Sequence, residues 1–315
     1  MTTHIARPRN DEITLDDEAR PGSESKIDDV TRRLLDSSDK LSYDPDAEVD
    51  WDEPLGDTLH GLNPEWSTLF GTPLWDRMTE EQRVTLTRHE VASIMSTGIW
   101  FEMILQQMIL RDQYAKDHAS PEFRFALTEI ADECRHSNMF ARACNKMGAN
   151  GYFPGRSATE LGRLFKTVAR GEMSYTAILV AEEVLDVMQR DWMNGDNVLP
   201  MVRTTSRIHV VEESRHMKFA RQTVRDRLAG AGRVRRQSSA LIIAIAAHII
   251  VTNMVSPKVY AAAGLDVDEA IAAAKANTHH QAMLRSSCTH LMDFLAEVGL
   301  LTPPAVRIYK RTHMM

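Results

Sequence analysis

Two short stretches of this 315-residue chain carry the residue types of a metal site at helical spacing. Asp132-Glu133-Cys134-Arg135-His136 and Glu212-Glu213-Ser214-Arg215-His216 both read acidic-Glu-x-Arg-His. A lone Glu-x-x-His is weak, since a chain of this composition produces about 0.8 by chance. His209 lengthens the second copy to His-x-x-x-Glu-x-x-His, a pattern with a chance expectation of about 0.03. Offsets of three and four residues share one face of an α-helix, so His209, Glu213 and His216 point together, as do Glu133 and His136. Carboxylates and imidazoles gathered in this way can hold metal.

A two-metal site in a four-helix bundle needs one further Glu from each of two other helices. Glu102 lies on an apolar stripe with Met95, Gly98, Ile99, Leu105 and Ile109. Glu182 shares a helix side with Tyr175, Ile178, Leu185 and Gln189, which turns it inward and Glu183 outward. Glu102 and Glu133 are 31 positions apart, and so are Glu182 and Glu213. Residues 102 to 216 therefore read as two copies of one helical hairpin. Four carboxylates on buried faces without a cation would each cost several kcal/mol, whereas two divalent ions balance them. The set favours iron or manganese over zinc, which prefers fewer ligands and tetrahedral closure. Oxidation to trivalent ions leaves a positive surplus for an oxygen-derived anion, a balance suited to dioxygen activation. Arg135 and Arg215 are expected to pair with Asp132, Glu212 or neighbouring helices, either as support for the ligands or as ordinary interhelical ion pairs.

The elements that must position these residues are helices. Low aromatic content (6%), 15 Gly and 12 Pro argue against a turn-rich β-sandwich, while abundant Ala, Leu, Arg and Glu with 17 Met suit helices. Thr79 with Gln82, Ser157 with Glu160 and Asp266 with Glu269 resemble capping boxes, and Ser120 before Pro121 is a further start signal. The pattern predicts helices over roughly 79–117, 120–147, 158–193, 196–229, 238–255 and 266–298, with Gly148, Gly195 and the 230–232 stretch as breaks. This is an all-α chain, a four-helix bundle with additional C-terminal helices. Ahead of it, residues 1–57 hold 17 acids against 7 bases, a net of −10 in a chain whose total is −7. They read as an acidic, disordered N-terminal tail without chemistry, leaving 58–315 as the helical domain. Around Leu59 to Met78, Trp51, Trp66, Phe70 and Trp75, punctuated by Pro54, Pro64 and Pro73, suggest an irregular strap packed on that domain.

Other classes are disfavoured. A body of net +3 with no basic run is not a general nucleic-acid surface. Three cysteines, Cys134, Cys144 and Cys288, form no C-x-x-C pair and point to a reducing, cytoplasmic compartment. The N-terminus lacks the regions of a signal peptide, and the apolar run 240–255 carries His248, Thr252 and Asn253, so a buried bundle helix is expected rather than a membrane span. Cys134, about 100° round its helix from Glu133, is expected to be a core thiol. Cys144, His248, His279, His280, His290 and His313 fall in no ligand spacing.

Taken together, these residues resemble the ferritin-like diiron carboxylate proteins, and more closely the p-aminobenzoate N-oxygenase (AurF-like) family of arylamine oxygenases. The closeness rests on His209, standing one turn before Glu213 and His216 as that family's extra histidine does. The resemblance implies seven metal ligands, Glu102, Glu133, His136, Glu182, His209, Glu213 and His216, and a ferritin-like fold. It also implies two iron ions, with manganese as the alternative, and dioxygen as co-substrate in N-oxygenation of an aromatic amine to the hydroxylamine or nitro compound. A homodimer is a further implication. Residues 94–97, the turn or two before Glu102, contain no Arg or Lys, although the family's aminobenzoate site uses a base there. That leaves room for a neutral or bulkier small-molecule substrate, in a pocket lined by Trp100, Phe101, Met103 or Tyr175. With no nucleotide motif or iron–sulfur cysteine set, electrons are expected from an external reductase or ferredoxin-like donor. Two alternatives use the same bundle: a ferritin-like metal-storage protein, and a diiron or manganese–iron oxidase acting on an acyl chain.

Overall fold

The computed structural model describes residues 26–315. Residues 1–25 of the expected tail lie outside the described residues, but 26–57 depart from the expectation. They form α1 (Lys26–Ser38) and the short α2 (Pro45–Glu48), and α1 lies across the two helices that carry the Glu-x-x-His pairs. The physical reason is an apolar stripe that net charge conceals: Thr31 and Leu34 are buried, and Ile27, Val30 and Leu35 pack on the core. The strap is as expected, with Trp66 and Trp75 buried and the single turn α3 (Pro73–Arg77) capped by the Thr72 side chain.

Four long helices make the bundle: α4 (Glu80–Gln113), α5 (Pro121–Lys146), α7 (Glu172–Trp192) and α8 (Pro200–Ala229); α6 (Arg156–Val168) intervenes between α5 and α7. Thr79 and Gln82 close a reciprocal capping box on α4, and Ser120 accepts the Phe123 N–H on α5. α4 pairs with α5 and α7 with α8, and the hairpins meet through α5–α8 and α4–α7. The expected single helix over 158–193 is broken in two. Ala169 is extended and Gly171 adopts φ 55°, a conformation that L-residues with side chains rarely take. The Ser157 box does not form either, because α6 begins at Arg156 on an uncapped Gly155. α6 instead lies against α4, where Gly162 is pressed so close to Trp100 that a Cβ would stand 2.5 Å from its ring.

The C-terminal part comprises α9 (Arg233–Thr252), α10 (Lys258–Ala262), α11 (Val267–Ala276), α12 (Thr278–Ser287), α13 (Thr289–Glu297) and α14 (Pro303–Arg311). The expected helix 266–298 is thus three, divided at Asn277, whose side chain caps α12, and at Cys288. α9 packs on α7 and α14. It is long and apolar enough to cross a membrane, yet it is not the fully buried helix expected: Leu241, Ile242 and Ile245 are exposed. The described residues form an all-α, ferritin-like four-helix bundle with additional helices, and they include no β-strand.

Candidate metal centre

All seven sequence-predicted ligands are buried and converge between the four bundle helices. α4 supplies Glu102, α5 supplies Glu133 and His136, α7 supplies Glu182, and α8 supplies His209, Glu213 and His216. His136 Nδ1 lies 3.5 Å from Glu133 Oε2 and 3.2 Å from Glu213 Oε1. His216 Nδ1 lies 3.3 Å from Glu133 Oε1 and 3.1 Å from Glu213 Oε1. His209 Nε2 stands 3.9 Å from Glu102 and Glu182 and 3.8 Å from Glu213. Glu133 and Glu213 therefore sit at the centre, with the other ligands around them.

The outward nitrogens are held by protein. His136 Nε2–H donates to Glu212 Oε2 at 2.7 Å, His216 Nε2–H to Asp132 Oδ2 at 3.2 Å, and His209 Nδ1–H to Gln189 Oε1 at 2.7 Å. These bonds fix each ring and aim its other nitrogen inward. The exchange is crossed: the acid before each ligand Glu holds the histidine of the opposite hairpin. Arg135 bonds Asp132 and lies 3.4 Å from Glu212, while Arg215 lies 3.6 Å and 3.9 Å from the same two acids. The two arginines thus contact the acids that hold the candidate ligands His136 and His216. The segment after α1 completes this layer, since the Tyr43 N–H donates to Glu212 and the Leu41 carbonyl accepts from Arg215. Composition had marked that segment as free of chemistry.

Despite these close approaches, several inward atoms make no well-directed hydrogen bond among the described residues: both Glu133 oxygens, Glu182 Oε2, Glu213 Oε2 and His136 Nδ1. Buried polar atoms left unmatched are costly, and hard oxygen with imidazole donors suits a first-row cation, so the residues fit a metal pair. Protonation tells the same story. Burial and the nearby Glu133 push Glu102 up to about 8, and burial with Glu213 and Glu133 raises Glu182 well above its ordinary value. Burial lowers His209 to about 3, which leaves it neutral with its Nε2 lone pair free. Burial opposes charge on His136 and His216, but their carboxylate partners raise both well above the usual value.

Sequence reasoning missed one member of the cluster. Glu129, one turn before Glu133, is fully buried and gathers with Glu133 and His216 within 4.8 Å. Other expectations need correction. Glu183 turns away from the centre as expected but is buried, because Arg221 of α8 clamps it with two bonds at 2.7 and 2.6 Å. Cys134 is exposed, not core. Of the guessed pocket residues, Met103 faces outward at 55% exposure, and Tyr175 is packed in the core with its hydroxyl donating to Asp112.

Trp100 and Phe101 do line space. A small cavity of about 30 Å³ touches Glu102, Glu182 and His209 and is walled by Thr97, Gly98 and Phe101. Phe101 and Ile250 separate it from an apolar groove of about 240 Å³ between α4, α6 and α9, lined by Trp100, Leu161, Phe165 and Ile245 among others. Among the described residues, no Lys or Arg lines either space.

A four-helix bundle closed around this buried carboxylate and histidine cluster has the donor set of a two-metal centre. The family model described as p-aminobenzoate N-oxygenase AurF matches residues 24–299, and the chain belongs to that family. An uncharacterized protein of Mycobacterium tuberculosis (strain CDC 1551 / Oshkosh) is 27% identical over 235 residues, 71% of this chain and 68% of the relative. Another, of Mycobacterium bovis (strain ATCC BAA-935 / AF2122/97), is 28% identical over 214 residues, 64% of this chain and 62% of the relative. The chain thus spans about two thirds of these relatives. Among solved structures, R2-like ligand-binding oxidases with a manganese–iron cofactor align at a TM-score of 0.43. Two of them show 10% and 11% identity, covering 92% and 98% of both chains.

Proposed function

We propose that the protein is a diiron oxygenase that reduces dioxygen and N-oxygenates a neutral aromatic amine. The observation that carries this reading is the cluster itself, with seven buried ligands, inward atoms lacking partners, and a cavity against Glu102, Glu182 and His209. The two ions would be held by those seven residues and would supply dioxygen binding and reduction. Glu212, Asp132 and Gln189 hold the ligand rings, and Phe101 and Ile250 keep water from the cavity. In the first step an amine RNH2, O2, two electrons and two protons give RNHOH and water. The electrons come from a separate reductase or ferredoxin-like protein. Because no base among the described residues lines the cavity or the groove, the family's aminobenzoate, with its carboxylate, is a poor match, and an uncharged amine with an apolar body fits better.

The apolar groove favours a second reading, oxidation of an acyl chain. One experiment separates the two. Apo-protein is loaded with about two equivalents of iron(II) without oxygen, then exposed to dioxygen with neutral arylamines, p-aminobenzoate or a fatty acid. Substrate gaining one or two oxygen atoms at nitrogen is the expected result, with p-aminobenzoate the slower arylamine. Oxidation of the fatty acid alone selects the second reading. Dioxygen uptake no faster than that of apo-protein refutes both and favours metal storage.

A further inference from the structure

The two hairpins are related by a shift of 80 residues, which takes Glu102 to Glu182, Asp132 to Glu212, Glu133 to Glu213, Arg135 to Arg215 and His136 to His216. Applied to the third histidine, the shift relates His209 to Glu129. The structure obeys the relation. His209 packs on His136, ring centroids 4.7 Å apart, and converges with it and Glu102; Glu129 converges with Glu133 and His216. His209 is tied back by Gln189, whereas neither Glu129 oxygen has a hydrogen-bond partner among the described residues, although the side chain is wholly buried.

We propose that Glu129 is an eighth metal ligand, the counterpart of His209 on the opposite side of the centre. The reasoning rests on the reading of the cluster as a metal pair. It adds that the two metal positions are chemically distinct. One takes two imidazoles, from His136 and His209. The other takes one imidazole, from His216, and an additional carboxylate. Carboxylate-rich positions suit harder ions and higher oxidation states, so the His216 side is the position that tolerates manganese. A fifth glutamate also reduces the positive surplus left when both ions become trivalent.

The test uses manganese(II) as probe, with free ion counted by electron paramagnetic resonance during titration of full-length apo-protein. Wild type is expected to bind two ions per chain. Glu129→Gln, equal in shape but neutral, is expected to keep one site and to weaken the other on the order of tenfold or more. Glu129→Asp should fall between them. Two sites of unchanged affinity in Glu129→Gln overturn the proposal while leaving the metal centre intact; no binding by wild type overturns the centre as well. If Glu129→Gln fails to fold, crystals of manganese-loaded wild type decide the matter. A Glu129 oxygen within about 2.3 Å of an ion supports the proposal, and one lying beyond hydrogen-bond distance overturns it.

Discussion

Metal binding to this cluster must displace protons, and the structure sets the direction and size of the effect. Glu102 is raised from 4.5 to about 8 by burial and by Glu133, so at pH 7 about nine in ten copies carry a proton on this carboxyl. Glu182 is raised as well. A ligand oxygen must be unprotonated, so each displaced proton lowers apparent affinity about tenfold for every pH unit below 8. Filling the centre at pH 6.5 is therefore expected to release at least one proton per chain, and affinity should climb between pH 6 and 8 before levelling. The stability of the apo-protein moves oppositely. A carboxyl whose folded pKa is raised favours the fold fully below its unfolded value near 4.5 and loses that contribution as pH rises through about 8. For Glu102 alone this amounts to roughly 5 kcal/mol. The melting-temperature gap between loaded and apo forms should accordingly widen from pH 6 to 8. Proton release is measured in weakly buffered indicator solution during manganese(II) addition, and the gap by calorimetry. Affinity that does not change with pH, with no protons released, would refute the reasoning.

Three further outcomes follow from the same contacts. Glu212→Gln leaves His136 without its anionic partner and is expected to weaken metal binding about 10- to 100-fold, read by the same titration, with Asp132→Asn acting likewise through His216. Removing residues 1–25 should leave metal content unchanged, whereas removal through residue 44 strips α1 and the contacts of Leu41 and Tyr43, lowering both the melting temperature and metal retention. A Cβ at Gly98 meets nothing within 4 Å, so Gly98→Ala should stabilise the helix by about 0.5–1 kcal/mol. Gly98→Leu should instead fill the cavity beside Glu102 and slow substrate oxidation without loss of metal.

Helix faces were legible because ligand spacing and helical period are the same arithmetic: Glu133 with His136, and His209 with Glu213 and His216, had to share faces once α5 and α8 formed. The equal separations of 31 then fixed Glu182 over its neighbour Glu183. What could not be read were facts that depend on a partner from elsewhere in the chain. Glu183 is buried where Arg221 comes to it from α8, and Cys134 is exposed although it adjoins the buried Glu133 on α5. Other misses had a signal that was outweighed. Ile27, Val30 and Leu34 recur at helical spacing inside the acidic segment, and Gly171 marks the break before α7. Glu129 stands where the 80-residue relation places His209, but a carboxylate in that position falls outside the Glu-x-x-His pattern that marks the other members.

The centre has two unlike sides, and this decides where a substrate can approach. Toward α5 and α8 the ligands are backed by Asp132, Glu212, Arg135 and Arg215, and α1 with its following segment covers them. Displacing that layer would leave buried charges unpaired, a penalty of about 3–5 kcal/mol for each broken pair. Toward α4 and α7 the cluster meets a small cavity walled by uncharged side chains, Thr97, Phe101, Leu185, Ile250 and Met254 among them, with the apolar groove beyond. Opening a path there needs rotation of an aromatic and an aliphatic side chain, with no ion pair to break. Under the proposed function, substrate is therefore expected to enter from the α4–α6–α9 side, with the polar layer opposite holding the candidate ligands in place.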